Sequence, residues 1–205
     1  MIVTKITEKN KKKLTVSLEN GVAFVLYKGD FRNYHIAENE NLPEKEFEEI
    51  MGELLPKRAL DRSYKLLMSK DYTEKQIREK LNADGYPENI IENTVTKLKE
   101  QKYLNDSRYT ENFIFWKAKS KSKRRLMTDL RAKGIGSGDA EEIYNKLLAR
   151  NDIDSEEDVA KEFLQKKGFD AKNATFEEKE KMKQTLLRKG YSFDTVFHLL
   201  GRGEW

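Results

Sequence analysis

Three glycines, Gly85, Gly134 and Gly190, restrict this chain to one kind of architecture, because the residues around them repeat without a gap. Eight positions before each stand Ile77, Leu126 and Met182, and four before stand Leu81, Leu130 and Leu186. One position after come Tyr86, Ile135 and Tyr191. Six after come Ile91, Ala140 and Val196, and ten after, Val95, Tyr144 and Leu200. Apolar residues at this spacing line one face of a helix. Glycine then lets the helix end in the left-handed region, and the later columns face inward from a second helix. Spacings of 49 and 56 residues between the glycines leave room for one more helix per block, which predicts three units of three helices. Units of this kind pack on their neighbours as an elongated array and leave one long face free. That shape suits an extended partner and lacks the deep pocket that a small substrate needs.

The first forty residues follow a different period. Leu14, Val16 and Leu18 alternate with Thr15 and Ser17, as in a half-buried strand. Val22 to Tyr27 is β-branched and aromatic, and Asn20-Gly21 between the two suits a type I′ hairpin turn. Ile2, Thr4 and Ile6 supply a third strand, giving a small antiparallel sheet. Asp30 to Ile36 is too short and mixed to assign. After residue 40 the period is helical. Pro43 opens a helix with Phe47, Ile50, Met51 and Leu54 on one face, and Pro56 is expected to break or bend it. Thr73 with Gln76 reads as a capping box. The fold class is therefore mainly α, tandem three-helix repeats preceded by a small β-rich domain. The divisions are 1–42 for the sheet, 43–56 for a connecting helix, and 57–104, 105–153 and 154–205 for the repeats.

Composition removes several function classes. The 205 residues include no cysteine and two histidines, His35 and His198. Disulfide scaffolds, thiolate metal sites, thiol catalysis and histidine-rich metal sites are excluded. The longest apolar run has six residues, far short of the ~20 of a membrane span. A soluble cytoplasmic protein is expected. No glycine-rich phosphate loop follows a strand, and Gly134-Ile135-Gly136-Ser137-Gly138 reads as a helix stop. His35 has no nucleophile near it in sequence, and His198, beside Phe197 and Leu199, reads as a packing residue. No spacing of the carboxylates singles out a metal pair. Neither an enzyme nor a cofactor is implied.

A net charge of +4 carries little until its position is considered. Lys117, Lys119, Lys121, Lys123, Arg124 and Arg125 put six cations into nine residues without an acid, and Arg131 and Lys133 continue the run. The serines between them keep the segment flexible and supply hydrogen-bond donors. This pattern suits a phosphate backbone, since each neutralised phosphate releases a counterion; an acidic protein groove would accept it equally well. The plain alternative is a solvated linker between helices at 106–117 and 123–133. Phe113 and Trp116, three apart on a helix, are expected to face inward, with Phe115 outside. Acidic stretches at Glu38 to Glu49, Asp152 to Asp158 and Glu177 to Glu180 oppose the basic run, which favours a partner made of protein and nucleic acid together.

Tyr103 to Tyr109, Ser122 to Ile135 and Arg188 to Ser192 carry segments that together resemble the RecX regulators. Tyr103-Leu104-Asn105-Asp106-Ser107-Arg108-Tyr109 is similar to one of their motifs. Ser122-Lys123-Arg124-Arg125-Leu126, with Leu130 and Lys133-Gly134-Ile135 behind it, is similar to a second, although family members often carry glycine where Ser122 stands. Arg188-Lys189-Gly190-Tyr191-Ser192 is similar to their final motif, and Arg58 through Leu81 to their opening one. The resemblance covers residues 57–200, and the N-terminal sheet looks like the extension of longer, Gram-positive-type members. It implies a non-enzymatic modulator of RecA that binds in the groove of the RecA–DNA filament. Such a protein inhibits ATPase, strand-exchange and co-protease activity, and thereby restrains recombination and the SOS response. The RecA filament is then the main partner, with single- and double-stranded DNA weaker, phosphate-driven ones. The polar faces suggest a monomer. Two rival readings stay open. A helix-turn-helix DNA reader independent of RecA would show duplex sequence preference. A scaffold that binds protein alone would be nearly indifferent to salt.

Overall fold

In a computed structural model, which describes residues 1–201, the chain forms two compact units, Met1–Asn105 and Asp106–Trp205. The first begins with strands β1 (Val3–Asn10), β2 (Lys13–Leu18) and β3 (Ala23–Tyr27), paired antiparallel in the order β1-β2-β3. Val16, Leu18, Phe24 and Leu26 are buried on one face, as their period requires. The turn between β2 and β3 differs from expectation. Gly21 alone takes a positive φ, +82°; its N–H and that of Val22 bond to the Leu18 carbonyl and the Asn20 side chain. That is a type I turn closed by a left-handed glycine, which needs positive φ at one residue where type I′ needs it at two. A short helix, α1 (Asp30–Asn33), occupies the segment that the sequence leaves unassigned.

Pro56 does not end its helix. The chain is helical through α2 (Glu44–Glu49), a π-turn (Ile50–Leu54) and α3 (Leu55–Ser69). The Leu55 N–H bonds to the Ile50 carbonyl, five residues back. Proline lacks an N–H and collides with the carbonyl four residues earlier in an α-helix. The wider turn just ahead of Pro56 absorbs both defects, and Pro56 enters α3 in its first turn. Helices α4 (Glu74–Asp84) and α5 (Glu88–Glu100) complete a three-helix group with α3. Thr73 and Gln76 form the expected reciprocal capping box at the start of α4.

Asp30 ties the sheet to this group. Its carboxylate accepts two hydrogen bonds from the Arg58 guanidinium, at 2.6 and 2.9 Å, and one from the Tyr27 N–H. The same guanidinium lies 4.9 Å from the centre of the Tyr27 ring. Gly85 adds a steric lock. Its φ is +90°, and a β-carbon there would stand 2.2 Å from Val25 Cγ2 of β3. Only glycine allows both the backbone turn and the approach of the sheet.

The second unit contains two further three-helix groups. One is α6 (Asp106–Lys117), α7 (Lys123–Ala132) and α8 (Ser137–Ala149); the other is α9 (Glu156–Lys166), α10 (Phe176–Lys189) and α11 (Phe193–Leu200). The three repeat glycines have φ values of +90°, +91° and +88°. Every residue in the aligned columns is buried except Met182 and Tyr86, which are half-buried. A further correspondence follows each of the first two groups. Lys102 and Asn151, each seventeen residues beyond its glycine, take φ of +61° and +59°, and Leu104 and Ile153 are buried two positions later. Ser122, Ser155 and Ser192 cap α7, α9 and α11, and Thr175 and Glu178 make a second capping box on α10.

Candidate nucleic-acid interface

The basic run is folded, not slack. Lys117 ends α6, Ala118 is buried, and the amides of Ala118, Ser120 and Lys121 bond back to carbonyls of Ile114 and Lys117. Ser122 is 2% exposed; its hydroxyl accepts the Arg125 N–H as the α7 cap and donates to the Lys189 carbonyl at 2.8 Å. The serine expected to loosen the segment pins it, because a buried hydroxyl must satisfy its hydrogen bonds.

This junction seats the end of α10 on the start of α7. Gly190, with φ +88°, allows it, since a β-carbon there would lie 2.9 Å from Ser122 Oγ and 3.5 Å from Arg124 Cβ. Glu156 at the start of α9 joins the same corner. Its carboxylate accepts the N–H groups of Lys123 and Ser192 and the Thr195 hydroxyl. The acid thereby holds the first turn of α7 to the first turn of α11. Burial, together with the Glu156 and Glu162 charges, pushes the Tyr191 hydroxyl above its ordinary pKa.

The eight cations singled out by sequence divide into two sets. Lys117, Lys119, Arg124, Arg125 and Arg131 are exposed, and Lys121, Lys123 and Lys133 are half-buried. Lys121 hydrogen-bonds to Asp129, whose second oxygen lies 3.4 Å from Arg125 Nε. A run without an acid in sequence thus acquires one from the next helical turn. Lys121 and Lys133 also flank the Phe113 ring at 5.9 and 5.8 Å, and Lys123 lies 5.2 Å from the Tyr144 ring. Arg131 donates to the Ser137 hydroxyl. Among the described residues Lys117, Lys119 and Arg124 make no ion pair.

Three features escape a linear reading. The seating of α10 brings Arg188 and Lys189 beside Lys121, Ser122 and Arg125, around a cleft of about 290 Å³. Trp116 is 70% exposed and meets the Phe115 ring edge-on at 5.3 Å, whereas Phe113 is the inward residue. Thr110, Ile114 and Ala118 define the buried line of α6, and Trp116 lies about 200° around the helix from Ile114. His198 is exposed and its Nδ1 lies 3.1 Å from the Glu157 carboxylate, a surface contact where packing was expected.

The first turn of α7 is electrostatically unusual. Helices α4, α5, α6, α8, α9, α10 and α11 carry an acid there, as the positive end of a helix prefers. Helix α7 carries Lys123, Arg124 and Arg125 there and no acid of its own, and Glu156 of α9 supplies the carboxylate at its first amide; α3, which also lacks an acid there, runs on from the π-turn and has no free N-terminus. Like charge on a helix terminus costs about 0.3–1 kcal/mol per residue. A fold accepts such a local cost where function requires it. The arrangement attracts anions. Among the described residues no group of side chains gathers that would hold a metal ion, and no helix is long and apolar enough to cross a membrane.

Known proteins agree with this organisation in order along the chain. Models of the first, second and third three-helix domains of RecX match residues 59–98, 105–143 and 154–200. The "Regulatory protein RecX" of Finegoldia magna is 30% identical over 206 residues, covering 98% of this chain and 99% of its own. That of Caldanaerobacter subterraneus is 27% identical over 198 residues, covering 96% of each. A crystal structure of regulatory protein RecX superposes with a TM-score of 0.62 at 22% identity, over 97% of this chain and 98% of that one. RecX from Lactobacillus salivarius gives 0.60 at 20% identity, over 71% and 94%. These two structures have the same fold.

Proposed function

The chain belongs to the RecX family, and on that premise we propose that it regulates the RecA recombinase by binding the RecA–DNA filament. It lies in the filament groove and favours one filament state, which hinders the protomer motions that ATP hydrolysis needs. ATPase, strand exchange and co-protease activity fall together, and recombination and the SOS response are restrained. It works by binding, not by bond-making, as a cytoplasmic monomer without a cofactor. The sheet (1–42), connecting helix (43–56) and repeats 57–104, 105–153 and 154–205 are the units we assign to it.

The observation that carries this reading is the first turn of α7, where Lys123, Arg124 and Arg125 stand at the positive end of a helix with Arg188 and Lys189 seated alongside. Phosphates are the anions such a cluster meets on a nucleoprotein groove. We place Arg124, Arg125, Arg131, Lys117 and Lys119 at the DNA, with Lys121, Lys123 and Lys133 behind them, held to Asp129, Tyr144 and Phe113. The exposed Trp116 and Phe115 edge supplies aromatic contact area beside Lys117 and Lys119.

The test is RecA ATPase on single-stranded DNA with substoichiometric protein. The proposal expects a fall with the wild type and recovery of most activity with the triple change Arg124→Ala, Arg125→Ala, Arg131→Ala. An ATPase rate indifferent to the wild type refutes RecA as target; inhibition by the triple variant equal to wild type refutes this surface.

A further inference from the structure

Beside the basic run, between α7 and the turn from α10 to α11, lies an open cleft of about 610 Å³. That falls within the ~300–1,000 Å³ of small-ligand sites. Met127, Leu187 and Phe193 form its apolar surface. The Phe193 ring stacks on Phe197 at 5.9 Å yet remains 63% exposed, so one aromatic face is turned to solvent within a partly polar groove. Arg124 and Arg131, seven residues apart and so on one face of α7, stand over it. Glu156 is committed to its three hydrogen bonds, and Glu141 is an exposed carboxylate on the wall.

We propose that this cleft receives one unstacked base of a single-stranded nucleic acid, laid on Phe193, with the flanking phosphates held by Arg124 and Arg131. An aromatic face accepts any base, and guanidinium groups fit phosphate oxygens with paired donors. The Glu141 carboxylate accepts a hydrogen bond from a base N–H, such as thymine N3–H, a donor that the side chains of an acidic peptide lack, which makes nucleic acid the better occupant of the two. Duplex DNA is the poorer substrate, because its bases reach Phe193 only after leaving the stack. The inference deepens the filament reading by naming the strand that the second and third repeats hold, and it is measured without RecA.

The experiment is fluorescence anisotropy of the full chain with labelled oligothymidylate and with an abasic oligonucleotide of equal length and charge. The wild type should bind the thymidylate strand about tenfold tighter or more, the range that one stacked base produces. Phe193→Leu keeps apolar volume without a stacking face; it should close that gap and leave abasic affinity unchanged. Phe193→Trp should preserve the gap, and Arg124→Ala with Arg131→Ala should weaken both strands alike. Equal wild-type affinity for the two strands overturns the proposal, as does a gap that survives Phe193→Leu. Displacement of the strand by polyglutamate at matched charge also overturns it and makes the cleft an acidic-peptide groove. RecA inhibition is scored separately on wild-type protein, so failure of either reading leaves the other standing.

Discussion

Gly190→Ala probes the junction that builds the basic surface. The substitution forces a β-carbon into a backbone with φ +88°, at about 1–2 kcal/mol. The new carbon also lands 2.9 Å from Ser122 Oγ. Ser122 must then retreat from the Lys189 carbonyl and from its cap on α7, which costs about 1 kcal/mol more. The sum is about 2–3 kcal/mol, or a fall of about 10–20 °C in the Tm of a unit of this size. Gly168→Ala is the internal control, since Gly168 shares the unit and a positive φ, +64°, but has nothing within 4 Å of its missing β-carbon. It should lose only the backbone share. Calorimetry and urea denaturation followed by circular dichroism read both variants. Equal losses for Gly190→Ala and Gly168→Ala would refute the claim that Gly190 serves close approach as well as helix termination.

Three further outcomes are expected. Asp129→Asn removes the counter-charge of Lys121 and Arg125 and should tighten single-stranded DNA binding several-fold, with a salt slope steeper by up to about 0.7 per added phosphate contact; a salt series of anisotropy titrations reads it, and weaker binding contradicts it. Burial pushes the Asp30 carboxyl up, but the hydrogen bonds from Arg58 and the Tyr27 amide outweigh it and hold its pKa below the ordinary value. The pair therefore stabilises the first unit fully above the unfolded carboxyl value of about 4, and that share is lost as pH falls through the lower folded value, so urea midpoints should drop steeply in acid. Asp30→Asn should flatten that acid limb and cost about 3 kcal/mol at neutral pH, since it strands Arg58.

The repeat was legible because glycines and apolar columns are local signals: a left-handed helix stop and one buried face are written within some twenty residues. The strands were legible for the same reason, through their alternation. Pro56 misled because proline excludes an α-turn, not a helix as such, and the π-turn at Ile50–Leu54 is invisible to an α period. Trp116 misled because its three-residue spacing from Phe113 ignored the stricter line of Thr110, Ile114 and Ala118. Lys102 and Asn151 hid a repeated left-handed position, since neither is glycine. At the basic surface, residue type was readable but company was not. Asp129 comes to Lys121 from the next turn of α7, and Arg188 and Lys189 come from a helix more than sixty residues away through the Ser122 to Lys189 hydrogen bond. The capping serines carried a signal at Ser122, Ser155 and Ser192 that a fuller use of cap rules recovers.

Hydrogen–deuterium exchange of this chain, free and bound to RecA on single-stranded DNA, tests most directly where the protein meets its target. Slowed exchange should concentrate at the end of α6, the first turns of α7 and the Arg188 to Phe193 junction. Protection confined to the N-terminal sheet, with α7 exchanging as in the free protein, would contradict a filament contact made through the second and third repeats.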